Sequence, residues 1–148
     1  MRVLLQRVTR ASVTVRGEPV ASIGPGLLLL VGVGRDDPTE HVDRLAEKVA
    51  TLRIFEDAGG KMNLALAEVA AEVLVVPQFT LYGDARKGRR PSWDGAAPSE
   101  IAAERVDAFA AALASRGLTV RRGAFRERME VELVNDGPVT LWLDAAAW

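Results

Sequence analysis

Three side chains of different chemistry follow one another in Pro77-Gln78-Phe79-Thr80-Leu81: an amide, an aromatic ring and a hydroxyl, the set that a polar pocket needs. By itself the segment reads first as an edge strand whose Gln78 and Thr80 face water, because an edge tolerates Pro77. A second group, Asn135-Asp136-Gly137-Pro138, puts a Gly-Pro step between two apolar runs. That step either closes a plain hairpin, the simpler reading, or uses a cis bond, which costs only about 0.5–1 kcal/mol before proline. A third group, Arg86, Lys87, Arg89 and Arg90, gathers four cations within five residues, opposed nearby only by Asp84 and Asp94. In a chain of formal charge −1, such a loop is either a phosphate site or a solvated turn.

The remaining inventory excludes more than it offers. With no cysteine among 148 residues, thiolate catalysis, iron–sulfur clusters and cysteine zinc sites are out of reach. The single histidine, His41, falls outside the apolar positions of a helix and reads as a solvated surface side chain. A Ser-His-Asp triad and a histidine metal site therefore lack material, and no metal or cofactor is expected. Gly24-Pro25-Gly26 and Gly32-Val33-Gly34 do not fit a dinucleotide fingerprint, and no phosphate-binding Gly-rich loop ends in Gly-Lys-Ser/Thr. The carboxylates are scattered over helix faces and turns. An enzyme built on this chain works without the commonest side-chain tools.

The elements that must position these groups follow from periodicity. Arg2 to Thr9 is a strand candidate, and Ser12–Arg16 alternates so that Val13 and Val15 share a face. Gly17-Glu18 turns the chain into Pro19–Ile23, and Gly24-Pro25-Gly26 reverses it again. Leu27–Val33 is short, apolar and bounded by turns, as a strand buried on both faces should be. A helix opens at Thr39 as N-cap and carries Val42, Leu45, Val49 and Leu52 at steps of three and four. After a turn at Asp57-Ala58-Gly59-Gly60 comes a strand at Val73–Val76. Gly83 to Pro98 is a long loop of the kind usually kept for function. A second helix starts at Ser99 as N-cap, presents Ala102, Val106, Phe109 and Leu113, and stops at Gly117. Met129–Leu133 and Val139–Leu143 each alternate with period two. The order β-β-β-β-α-β-α-β-β predicts one α+β domain over residues 1–148, with a largely antiparallel, barrel-like sheet and two main helices. The length allows a chain to bury roughly 70% of its unfolded surface. The apolar run from Leu27 to Val33, seven residues interrupted only by Gly32, is far short of the about 20 that span a bilayer. Two arginines in the first seven residues, without an apolar stretch behind them, predict no signal peptide and a cytoplasmic protein.

Taken together, these segments resemble the D-aminoacyl-tRNA deacylases over nearly the full length. The resemblance rests on Met1-Arg2-Val3-Leu4-Leu5-Gln6-Arg7-Val8, Lys61-Met62-Asn63-Leu64, Gln78-Phe79-Thr80-Leu81-Tyr82, Lys87-Gly88-Arg89-Arg90-Pro91-Ser92 and Asn135-Asp136-Gly137-Pro138-Val139-Thr140, in that order. One position departs from the family: Pro77 stands where Ser usually precedes Gln-Phe-Thr-Leu, which removes a hydroxyl and a backbone N–H. A sister group of animal deacylases has Pro-Gln there, but Phe79 and the Asn135–Thr140 segment follow the main family.

The resemblance implies hydrolysis of the ester between a D-amino acid and the terminal adenosine of tRNA, and of mischarged glycyl-tRNA, by a homodimer with no DNA or membrane partner. It implies that Gln78, Phe79 and Thr80 line the pocket for ester and adenosine. It also implies a cis bond at Gly137-Pro138, on a loop that enters the partner's active site and offers rigid carbonyls to the substrate amino group while leaving no room for an L side chain. Arg7 matches an arginine that braces this loop, and Met129 a position that packs beside it. Backbone N–H groups can stabilise the oxyanion without His or Cys, and the ribose 2′-hydroxyl would assist the attack of water. Arg86, Lys87, Arg89 and Arg90 are then placed to meet acceptor-stem phosphates. Two rival readings remain: a non-catalytic RNA-binding module that stacks bases on Phe79, and an esterase with Thr80 as nucleophile.

Overall fold

A computed structural model describes all residues from Met1 to Trp148. Its organising element is β1, which runs unbroken from Arg2 to Val15, where periodicity alone indicates two strands. The alternation breaks because the register of pairing shifts between Gln6 and Arg10. Before the shift Val3 and Leu5 point into one core, and after it Val8, Ala11 and Val13 point into another. One edge of β1 is shared by two strands in succession. Arg2–Val8 pair with β3 (Gly26–Gly32), and Ala11–Val15 pair with β2 (Glu18–Ile23), both antiparallel.

The other edge is occupied along its whole length by β8, Met129–Asp144. This overturns the plain hairpin at Asn135–Pro138. Met129–Asn135 and Thr140–Asp144 pair with the same strand and run in the same direction, so residues 136–139 are extruded from one long strand. Period-two alternation on both sides of an insertion looks the same in sequence as two hairpin arms.

Beyond β3 the sheet becomes parallel. β6 (Glu72–Pro77) lies beside β3, and β7 (Thr119–Arg122) beside β6. Parallel neighbours need crossover connections, which α1 (Glu40–Thr51) and α2 (Ser99–Ser115) supply. Their apolar stripes, Val42, Leu45, Ala46 and Val49 on α1 and Val106, Phe109, Ala110 and Leu113 on α2, bury against the face of the sheet formed by Leu27, Leu29, Val31, Val73 and Val75. On the opposite face β2 lies against β6 and β7. The sheet thereby curls, barrel-like, around Val8, Val13, Ile23, Leu28, Leu74 and Val76. A short hairpin of β4 (Phe55–Glu56) and β5 (Met62–Leu64) carries the turn at Asp57–Gly60.

Local capping differs from expectation. The N-cap of α2 is Pro98, with Ser99 already in the first turn, and Thr39 holds a helical conformation before α1 with no side-chain cap bond. α2 does end as expected, with Gly117 at φ +82° just beyond it. His41 is not a solvated side chain. It is half-buried, with Nδ1 3.1 Å from Asp37 and 3.2 Å from the amino group of Met1. Those partners lie far from it along the chain or on the preceding turn, outside the helical pattern that the sequence displays.

Candidate active site

Parallel strands align their ends, and β3 and β6 end together with Val31 beside Pro77. β6 is an interior strand, so Pro77 is not on an edge. It is the last residue of its strand, beyond the stretch paired with β7, where its missing N–H breaks no ladder bond. The next amide re-engages the sheet: Gln78 N donates to Val31 O at 2.7 Å. The chain then tightens into a single 3₁₀ turn, Phe79–Tyr82, closed by Gly83 N donating to Thr80 O at 2.9 Å.

This turn forms part of the wall of a cavity of about 490 Å³, within the range of small-molecule sites. Gln78 and Phe79 line it, with Val31 and Val33 from the β3 end, Ala102 and Val106 from α2, and Phe125 from the β7–β8 connection. Phe79 is 55% exposed and meets Trp93 edge to face, with ring centroids 5.4 Å apart. Arg35 and Arg126 stand in the same lining. Thr80 does not line the cavity. Its hydroxyl oxygen accepts a hydrogen bond from Nε2 of Gln78, and no carboxylate or imidazole is bonded to it. A threonine in that state has no base to remove its proton.

The extruded loop is a separate feature. Its Gly137-Pro138 peptide is cis, and Asp136, Gly137 and Pro138 are exposed. Gly137 has φ +130°, and a Cβ there would stand 2.9 Å from Cγ2 of Val139 and 3.2 Å from Nη2 of Arg7. Only glycine fits. Behind the loop lies Arg7, the one charged residue in the buried set, 5% exposed. Its Nη1 donates to the carbonyl of Ile54 at 2.6 Å and its Nε to the carbonyl of Asp136 at 3.2 Å, with the Asp136 carboxylate 3.3 Å away. Asn135 closes the loop from the other side: its Oδ1 accepts from Val139 N and its Nδ2 donates to Oγ1 of Thr140, each at 2.9 Å. Neither Gly137 nor Pro138 lines the cavity of its own chain. Met129 pairs with Val15, at the far end of β1 from this loop, and packs near Gly123 and Val131. Within one chain it does not touch the loop.

The four cations of the basic loop are not equivalent. Arg86 is committed to Asp84, with Nη2 2.6 Å and Nε 2.9 Å from the carboxylate, and those bonds hold the Asp84 carboxyl well below its usual range. Lys87, Arg89 and Arg90 are exposed and make no ion pair. Paired backbone bonds between Asp84 and Ser92, at 2.8 and 2.9 Å, tie the ends of this stretch.

At the end of the 3₁₀ turn, Tyr82 is half-buried and its hydroxyl donates to Oδ2 of Asp37 at 2.8 Å. Burial, then the bond to Asp37, pushes the phenol well above its ordinary range. Burial works to raise the Asp37 carboxyl, but bonds from the amino terminus, Gly34 N and Tyr82 outweigh it and hold the group below 3.8. Trp93, Phe125, Arg35 and Arg126 were not singled out by sequence. Phe125 stands alone among the charges of residues 121–128, and a lone aromatic there carries no periodic signal.

A family model described as D-Tyr-tRNA(Tyr) deacylase matches residues 4–144. The chain is 59% identical over 146 residues to a D-aminoacyl-tRNA deacylase of Chloroflexus aurantiacus, covering 99% of this chain and 91% of that protein. It is equally identical to the one of Thermomicrobium roseum, with 99% and 95% covered. Among solved structures it resembles a "c-Myc DNA Unwinding Element Binding Protein", with a TM-score of 0.91 and 37% identity over 97% of this chain and 98% of that one. It also shares the fold of a probable eukaryotic D-amino acid tRNA deacylase, with a TM-score of 0.82 and 20% identity over 96% and 97% of the two chains. A match that begins in β1 and ends in β8 places this chain in the D-Tyr-tRNA(Tyr) deacylase family, a family of hydrolases.

Proposed function

We propose that this protein hydrolyses the ester of D-aminoacyl-tRNA, and of glycyl-tRNA, releasing free tRNA and the amino acid, and that it spares L-aminoacyl-tRNA. The observation that carries this reading is the placement of Gln78 and Phe79 in the wall of a largely apolar, aromatic-walled cavity whose lining holds no carboxylate or imidazole to serve as a general base, its one hydroxyl side chain being Ser99. Such a site suits a nucleoside base and an ester that is already activated. The amides of Phe79 and Thr80 open a helical turn, where N–H groups have no partner inside the turn, and they are the donors we assign to the developing oxyanion. Water attacks the ester carbonyl with the 2′-hydroxyl of the terminal ribose assisting. The tetrahedral intermediate then collapses, expelling the 3′-oxygen of the ribose, which takes a proton as the amino acid leaves.

Hand is judged by the loop of Gly137 and Pro138, acting in the cavity of a second copy. The loop is exposed and braced but does not reach its own cavity. The outer edge of β8 is unpaired, and beside it Trp142 is 50% and Val134 37% exposed, a strand edge of the kind that a second chain covers. On this reading Met129, distant from its own loop, meets the loop of the other subunit. A wall of main chain distinguishes the side on which a side chain projects but not what that side chain is. Lys87, Arg89 and Arg90 attract tRNA phosphates, and Arg86 contributes less because Asp84 neutralises it. No helix is long and apolar enough to cross a membrane, and the substrate places the protein in the cytoplasm.

Incubation with D-tyrosyl-tRNA, L-tyrosyl-tRNA and a simple amino-acid ester tests this directly: only the D-charged tRNA should be consumed. Thr80→Ala should keep measurable turnover. Trapping an acyl group on Thr80 would establish the esterase instead, and binding of charged tRNA without turnover would establish an RNA-binding module.

A further inference from the structure

The turn that carries Phe79 and Thr80 has no buried residue of its own, so apolar burial does little to hold it. Its front end is set by the sheet through the Gln78–Val31 bond, 2.7 Å long. We infer that its rear end is set by a polar latch of Tyr82, Asp37 and Arg2, and that these are positioning residues for the reaction; the inference rests on the reading of the turn as catalytic.

The latch is made from three directions. Tyr82 donates its hydroxyl to Oδ2 of Asp37 at 2.8 Å, and Gly34 N donates to the same oxygen at 2.5 Å. Arg2 donates Nη1 to the carbonyl of Leu81 at 3.0 Å, while its guanidinium lies 4.2 Å from the centre of the Tyr82 ring. Arg2 is itself held by Asp144, with Nε 3.0 Å from Oδ2. The fit is close: a Cβ on Gly34 would stand 2.6 Å from the Tyr82 ring. The other oxygen of Asp37 faces the amino group of Met1 and Nδ1 of His41. The rear of the turn is thus tied at once to the start of β1, the β3–α1 loop, the first turn of α1 and the end of β8.

Bonds to charged partners are shorter and stronger than neutral ones, and the raised phenol keeps Tyr82 a donor at any working pH. None of the three side chains lines the cavity around Phe79. Their effect on chemistry must pass through the placement of the turn, where a displacement of about 1 Å can cost a hundredfold.

Tyr82→Phe removes one hydroxyl and keeps the ring. It should lower kcat for D-tyrosyl-tRNA about tenfold, a fraction of that ceiling, with KM within about twofold, and speed amide exchange at Leu81 and Gly83. Val49→Ala, in the core of α1 and away from the turn, should lower the melting temperature while leaving kcat and those amides as they are. Arg2→Lys, which keeps the charge near Asp144 but loses the fork to Leu81, should show the same pattern more weakly and serves if Tyr82→Phe does not fold. The latch is overturned if kcat of the folded variant stays within about twofold of wild type, if kcat falls in Val49→Ala in step with stability, or if the amides do not respond. A wild-type protein that spares D-tyrosyl-tRNA would sink the functional reading, while the exchange data would still decide the latch.

Discussion

The loops Asn135–Pro138 and Gly83–Pro98 are both exposed and both rich in turn residues, yet they are held in opposite ways. The first is fixed from behind by a buried guanidinium and from the side by the Asn135 amide, so its carbonyls have defined positions. The second is tied at Asp84 and Ser92, and beyond that tie Lys87, Arg89 and Arg90 have no ion-pair partner. The difference matches two tasks. Distinguishing mirror images requires atoms fixed to a fraction of an ångström, whereas attracting phosphate requires only charge within about a Debye length, near 8 Å at physiological salt.

Substitutions can break this contrast, and the largest effect is expected at Gly137. Gly137→Ala must push Val139 or Arg7 aside, and misplacement of the loop should lower the ratio of D- to L-tyrosyl-tRNA hydrolysis by on the order of a hundredfold. Parallel deacylation time courses measure that ratio, and a value within twofold of wild type would remove the loop from chiral selection. Arg7→Leu leaves the carbonyls of Ile54 and Asp136 without their donor, which should cost about 1–3 kcal/mol for a buried unsatisfied acceptor. Chemical denaturation reads that loss, and chiral selectivity should fall with it.

Smaller effects belong to the basic loop. Replacing Lys87, Arg89 and Arg90 by Ala should leave both stability and the D/L ratio unchanged, while the log–log salt slope of tRNA binding flattens by about 2–3 units, near 0.7–0.9 for each phosphate that is no longer neutralised. Arg86→Ala should flatten it less. An unchanged slope in the triple variant would return this stretch to a solvated turn.

The smallest effect concerns pH. The carboxyl of Asp37 is held below 3.8 in the folded protein. Its contribution is therefore complete above that ordinary value and is lost as pH falls through the lower folded one. The melting-temperature gap between wild type and Asp37→Asn should be present near neutrality and begin to close only once the pH falls below 3.8. A gap that widens on acidification would contradict the ionised, accepting role assigned to Asp37.

Much of this architecture is readable before folding because local pattern and tertiary role agree. The stripes Val42-Leu45-Val49 and Val106-Phe109-Leu113 are buried as their spacing requires, and Leu27–Val33 lies between two cores as its apolar run, interrupted only by Gly32, implies. Strand β7 is different: Thr119–Arg122 contains one apolar residue, and it pairs because α2 returns the chain alongside β6. His41 shows the same limit, since its partners Asp37 and Met1 converge only in three dimensions. The extrusion of 136–139 is hidden because alternation on either side matches a hairpin, and only the common partner β1 reveals one strand. At the site, resemblance draws attention to Gln78 and Arg7, but composition gives no notice of the cavity wall at Phe125 or the latch at Tyr82.

The central claim, that each cavity takes its chiral wall from the other subunit, is tested most directly by mixing two defective proteins. One carries Gly137→Ala and the other Phe79→Ala, and the two are unfolded and refolded together. If the loop acts across the dimer, a mixed pair contains one cavity with both parts intact. About a quarter of all sites are then intact, because half the dimers are mixed and each has one good site of two, so D-tyrosyl-tRNA hydrolysis should rise above the average of the two variants, while L-tyrosyl-tRNA hydrolysis stays confined to the quarter of dimers that are Gly137→Ala homodimers. If each loop serves its own chain, every site keeps a defect, and activity no higher than the average of the two variants alone would contradict the account.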